Sequence, residues 1–148
     1  MRLITTTLLT LVLSISIFGQ SILPISRDVM AEVKRSYESG EIEWYFKAVV
    51  KGLNLTVEQE DDIRSGVDNF FDSNLFIETG AAYLTSLFNE RELNDILRVL
   101  DDPTLMGEPD FEGARKFNRM MTTLKPYIVS YLKTKFIRDA LRQQQQSE

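Results

Sequence analysis

Beyond residue 26 the chain repeats apolar side chains at three- and four-residue intervals, the spacing that gathers them on one side of an α-helix. Val29, Met30, Val33 and Tyr37 form the first stripe, with Ser26 predicted as its N-cap and Gly40 as its exit. Ile42, Tyr45, Phe46, Val49, Val50 and Leu53 form a denser stripe that ends at Gly52 and Asn54. Thr56 and Gln59 match a capping box. The threonine oxygen accepts from a backbone N–H that has no helical partner and the glutamine reaches back, so a third helix is predicted to begin at Val57. Its first turn holds Glu58, Glu60, Asp61 and Asp62, carboxylates favoured at the positive end of a helix dipole, and Ile63, Val67, Phe70 and Phe71 form its buried side.

A fourth helix is predicted from about Leu75 to Phe88 on the spacing of Ile77, Ala81, Leu84 and Phe88, with Gly80 and Ala81 making one side thin enough for close helix contact. Asn89 and Glu92 repeat the capping box, and Leu93, Ile96, Leu97 and Leu100 follow as an amphipathic stripe that Asp102-Pro103 ends, because the residue before a proline is pushed out of helical geometry. A loop to Pro109 separates it from a sixth helix built on Phe111, Ala114, Phe117, Met121 and Leu124. Pro126 then either kinks that helix or divides it from a seventh, whose apolar face is Leu124, Ile128, Tyr131, Leu132, Phe136 and Ala140. No alternating apolar and polar run bounded by hairpin turns competes with these assignments. The predicted fold is all-α, a single bundle of about six or seven helices spanning residues 20–142, with the glutamine-rich residues 143–148 as a disordered tail.

The start of the chain reads differently. Arg2 followed by the uncharged stretch Leu3 to Phe18 has the pattern of a secretory signal peptide, with cleavage after Gly19 leaving Gln20 as the new terminus, and cleavage after Ser21 as the alternative. The stretch is shorter than the roughly 20 apolar residues of a membrane span, which favours removal over retention. Export places the domain in the periplasm or outside the cell. With no cysteine, its stability there rests on packing alone.

The net charge of −5 disfavours nucleic-acid binding, but its distribution is uneven. Residues 20–110 hold 8 basic and 19 acidic side chains, and residues 111–148 hold 8 basic and 3 acidic, so the C-terminal part is locally cationic. The absence of both histidine and cysteine excludes a Ser-His-Asp triad, a cysteine nucleophile and a histidine or thiolate zinc site. Asp61-Asp62 and Asp101-Asp102 are adjacent on helices, where neighbours point about 100° apart, so capping and solvation account for them better than shared chemistry. The glycines are too scattered for a phosphate-cradling loop, and Thr56 of Asn54-Leu55-Thr56 is explained as an N-cap more simply than as part of a glycosylation acceptor.

Tyr83 and Phe88 ahead of Asn89-Glu90-Arg91-Glu92-Leu93, an apolar helix ending at Asp102-Pro103, and basic apolar helices after it make up a recognisable order of features. Over Tyr83 to Leu141 it resembles an uncharacterised family of exported bacterial proteins, domain of unknown function two-zero-five-nine. Asp102-Pro103 stands where that family has Ser-Pro, and Leu105 where it has a glycine. The resemblance implies an exported helical domain and transfers no catalytic residue.

Two surface features are candidates for function. Trp44, Tyr45 and Phe46 are consecutive and cannot all face one core, which leaves Trp44 at an edge, as a contact site or as a partly buried ring whose N–H meets water. Lys133, Lys135, Arg138 and Arg142 on the last helix could face an anionic lipid or acidic partner, or dock against the acidic remainder of the domain. The resulting reading is an exported binding or interaction module, leaning away from an enzyme and without a cofactor or metal. It recognises an unknown protein or anionic ligand through an apolar groove oriented by the basic last helix. The alternatives are a carboxylate-dependent hydrolase of an envelope polymer and a peripheral membrane-surface protein.

Overall fold

A computed structural model describes residues 22–108, 111–138 and 142; the signal-like stretch, the cleavage positions, Ala140 and the tail 143–148 lie outside the described residues. The described chain is an all-α bundle. Residues 22–36 form α1, followed by α2 (Ser39–Val50), α3 (Val57–Asp72), α4 (Leu75–Leu87), α5 (Glu90–Asp101) and α6 (Glu112–Leu132). A short 3-10 turn, Pro103–Gly107, joins α5 to α6, and a π-helical turn, Lys133–Ile137, extends α6. Among the described residues there is no strand, and no helix is long and apolar enough to cross a membrane.

The predicted capping boxes set the starts of α3 and α5. The Gln59 N–H donates to Thr56 Oγ1 at 3.2 Å while the Thr56 N–H donates to Gln59 Oε1 at 2.9 Å, and Asn89 and Glu92 exchange the same pair of bonds at 2.9 Å each. Gly52, at φ +79°, takes the left-handed conformation that closes α2 without a Cβ penalty.

Three local expectations are corrected. Ser26 is not an N-cap: Ile22, Leu23 and Ile25 pack against the core and draw the helix back, leaving Ser26 inside α1 and fully buried. Its hydroxyl shares a 2.9 Å hydrogen bond with that of Thr85 on α4, which in turn donates to the Ala81 carbonyl at 2.8 Å. Gly40 does not end α1 but lies in the first turn of α2, where it is exposed and nothing approaches the place of a Cβ. Finally, the span after Pro103, expected as a loop, is a 3-10 turn with Thr104 N–H donating to Asp102 Oδ1 at 3.1 Å; of the alternatives left open at Pro126, division is not the outcome, and α6 runs through it as one helix.

α6 is the spine of the bundle. It packs against α2, α4 and α5, and the π turn that continues it touches α3. Met120, Leu124, Ile128 and Leu132, one residue per turn, form a fully buried ridge. α1 lies along the thin side of α4: a Cβ at Gly80 would fall 2.2 Å from the terminal methyl of buried Met30, so the missing side chain makes room for the Met30 thioether in its present position. Polar contacts fix the same pair, with Arg27 Nε 3.0 Å from Glu78 Oε1 and Lys34 Nζ 3.0 Å from the Ser73 carbonyl just beyond α3.

The centre of the core is aromatic. Tyr37, Tyr45, Phe70, Phe71 and Phe76 meet at centroid distances of 4.9 to 6.2 Å, and Tyr131 of α6 joins through Phe70 at 5.5 Å. The hydroxyls of Tyr37 and Tyr45 share a 2.9 Å hydrogen bond. Burial pushes the Tyr45 hydroxyl far above the ordinary phenol range, reinforced by neighbouring Tyr37, and burial also raises Tyr37 although its bond to Tyr45 works against the rise.

The folded chain therefore holds these protons more tightly than the unfolded chain. The stabilisation is whole below the unfolded phenol value of about 10 and declines as pH rises above it. Urea unfolding across the alkaline range should show stability falling beyond that value, with a flatter decline in Tyr37→Phe/Tyr45→Phe; parallel declines would mean that other groups are responsible.

Candidate functional site

Tyr45 and Phe46 are both drawn inward from α2, and this turns Trp44 out. Tyr45 is 0% exposed and Phe46 6%, whereas Trp44 is 47% exposed with its ring set edge-on to Tyr45 at 5.1 Å. One turn on, at the same side of α2, stands Ala48, whose methyl leaves a hollow between α2 and α6. Along the opposite wall α6 contributes Asn118, Met121, Thr122 and Lys125, then Pro126, Val129, Ser130 and Lys133. The hollow is an open groove of about 820 Å³, large for a site in the usual range of roughly 300 to 1,000 Å³.

Its α6 wall follows an i, i+3, i+4, i+7 repeat, the spacing by which one helix presents a stripe to another. This stripe is next to the buried Met120, Leu124, Ile128, Leu132 ridge and has no described element laid over it. From Asn118 to Lys133 it extends about 22 Å at the usual rise per residue.

The groove is apolar inside and cationic along its edge. Lys125 Nζ sits 5.3 Å from the centre of the Trp44 ring, a cation-π contact, and Lys133 stands at the far end. No carboxylate lines the groove, and among the described residues neither lysine has one within 4.0 Å. Polar groups inside it are few and partly occupied: the Thr122 hydroxyl lies 3.0 Å from the carbonyls of both Asn118 and Arg119 on its own helix. Pro126 has no N–H, so the Thr122 carbonyl lacks its ordinary helical donor at this point of the wall.

The π turn separates two jobs that an α-helix would place on one side. Lys133 lines the groove, while Phe136 seats against α3, where a Cβ at Gly66 would fall 2.5 Å from its ring. The structure thus brings Trp44 and Lys133 together in one site and leaves the other named cations outside it. Lys135 lies beside the rings of Tyr131 and Phe136 at 5.8 and 5.7 Å, and Arg138 and Arg142 are exposed beyond the groove. Lys125, Ala48, Met121 and Val129 are the site residues that sequence reasoning did not single out. Their signal was available as a second helical stripe beside the buried one, but a stripe does not say whether another helix covers it.

Two ion pairs tie neighbouring helices together. Glu43 bridges α2 to α3 through Arg64 at 2.6 Å, and that guanidinium holds its carboxyl below the ordinary value. Lys116 on α6 meets Asp95 on α5 at 2.7 Å with both side chains mostly covered, and this hydrogen bond raises the lysine above its ordinary value. A smaller cleft of about 330 Å³ is lined by Glu92, Glu112, Arg115, Lys116 and Arg119. Its carboxylates are engaged, Glu92 in the α5 cap and Glu112 with Lys116 at 3.5 Å. Among the described residues no group of three or more acidic side chains is placed to hold a metal ion. In comparisons with family models, curated proteins and solved structures, none matches this chain.

Proposed function

We propose that this protein is an exported binding module whose α2–α6 groove takes an apolar partner or ligand bearing negative charge. The observation behind this reading is the coexistence, in one open groove, of a half-exposed tryptophan, an apolar floor and two lysines that have no carboxylate in reach among the described residues. Tryptophan is enriched among the residues that dominate binding energy, and an exposed apolar groove with a charged rim is a common mark of a contact surface. Lys135, Arg138 and Arg142 lie outside the groove and act at longer range, steering an anionic partner toward it.

A hydrolase would need two carboxyl groups facing one cleft with the substrate between them. The engagement of Glu92 and Glu112 in a helix cap and an ion pair supports binding over hydrolysis. Export rests on Arg2 and the uncharged stretch Leu3 to Phe18, and agrees with the resemblance over Tyr83 to Leu141 to an exported bacterial family. Intact-mass measurement of the natural product should give a chain beginning at Gln20; a chain retaining Met1 would remove export by cleavage from this account.

The site itself is open to a direct test, because Trp44 is the protein's single tryptophan. The anionic apolar dye ANS should quench Trp44 emission by energy transfer as it fills the groove. Its affinity should fall about tenfold, or 1.4 kcal/mol, in Lys125→Glu/Lys133→Glu, with the helical circular dichroism retained. Dye binding that ignores the charge reversal, or no transfer from Trp44, would contradict the assignment.

A further inference from the structure

The form of the groove narrows the class of partner. We infer that its occupant is an acidic amphipathic α-helix of another protein, laid along α6 against Trp44 and Ala48; this rests on the groove being the binding site.

Four observations converge on a helix. The α6 wall repeats at i, i+3, i+4 and i+7 over about four turns, which matches the anchor spacing of a helix lying beside it. α2 supplies the second wall, with Trp44 standing up as a rim and Ala48 one turn later as a depression that a larger apolar side chain can enter. The groove is open along its length, whereas a small-molecule site buries about 70 to 90% of its ligand's surface. Its free hydrogen-bonding groups are few: the Thr122 hydroxyl already serves its own helix, and the helical backbone is self-paired except at the Thr122 carbonyl, which faces Pro126. An extended peptide would bury N–H and C=O groups against this surface without partners, while a helix brings its own satisfied backbone.

Charge selects the kind of helix. Lys125 and Lys133, two turns apart on the same wall, present positive charge without an opposing carboxylate on the lining. Carboxylates flanking the apolar face of the incoming helix would meet these ammonium groups. A basic helix would leave them repelled and partly desolvated. Met121, Val129 and the Trp44 ring then cover the apolar anchors, and Lys125 over the indole is already placed to accept a carboxylate from above.

Other occupants fit less well. A bilayer is a plane and cannot reach the Ala48 hollow between two helices, although the lysines would attract its surface. A second copy has an acidic helix to offer in α3, but the apolar side of α3, Ile63, Val67, Phe70 and Phe71, is buried in its own core.

The test uses the full chain and three probes read by Trp44 emission and circular dichroism. One is a synthetic peptide of about 15 residues with leucines at i, i+3, i+4 and i+7 and glutamates flanking them. The second has lysines in place of the glutamates, and the third is a phosphatidylglycerol vesicle. The acidic peptide is expected to saturate the Trp44 signal while gaining helicity, to bind at least about tenfold more tightly than its basic counterpart, and to lose at least that factor in Lys125→Glu/Lys133→Glu and in Ala48→Arg. Urea unfolding of both variants checks that they remain folded. Equal binding of the two peptides overturns the inference, as does a vesicle response without a peptide response, or a self-associated state in sedimentation that dissociates on charge reversal. If ANS reports the groove but no peptide binds, the site stands and the helical partner falls; if ANS fails as well, the site itself is wrong.

Discussion

The fold depends on one aromatic junction. Tyr37 in the α1–α2 connection, Tyr45 on α2, Phe70 and Phe71 on α3, and Phe76 on α4 close on one another, with Tyr131 linking α6. In a chain without cysteine this contact between distant segments joins elements that a disulfide cannot. Its apolar bulk excludes water, and the Tyr37–Tyr45 hydrogen bond satisfies the two polar atoms that burial would otherwise penalise. The junction also sets the rotation of α2. Once Tyr45 and Phe46 point inward, helical geometry sends Trp44 outward, so its exposure follows from the same rotation that builds the core.

α6 imposes the second constraint. One of its ridges is spent in the core, and its neighbour is left along the α2 side with a methyl-sized depression opposite. Gly66 and the π turn serve this division, because seating Phe136 against α3 keeps the end of the helix attached while Lys133 stays with the groove. The ion pairs Glu43 with Arg64 and Asp95 with Lys116 tie helices to one another, whereas among the described residues Lys125 and Lys133 have no such partner.

Much of the fold was legible because it is written locally. Thr56 with Gln59 and Asn89 with Glu92 make their capping boxes from residues three apart, and the stripes of α3 and α5 need only the helical period. The corrected residues respond to distant partners: Ser26 is accepted inside α1 because Thr85, on α4, receives its hydrogen bond. Pro126 is tolerated because α6 is held on both sides of it by core contacts, which outweigh the lost N–H. The exposure of Trp44 could be argued from three consecutive aromatics, but the groove could not, since it is defined by where α2 lies relative to α6. Of the cations on the last helix, charge alone could not separate Lys133 from Lys135; their two-residue spacing puts them on different sides, and only the position of α2 shows which side holds the groove.

Neighbouring residues of α2 differ in their duties: Tyr45 is fixed in the core, and Trp44 stands half-exposed at the groove, the contact residue of the proposed site. Urea unfolding of Tyr45→Ala and Trp44→Ala tests this most directly. The account predicts a loss of about 3 to 5 kcal/mol for Tyr45→Ala, as for large core truncations, and no more than about 1 kcal/mol for Trp44→Ala, as for a surface position. Comparable losses in the two variants would make Trp44 part of the fold and contradict the account.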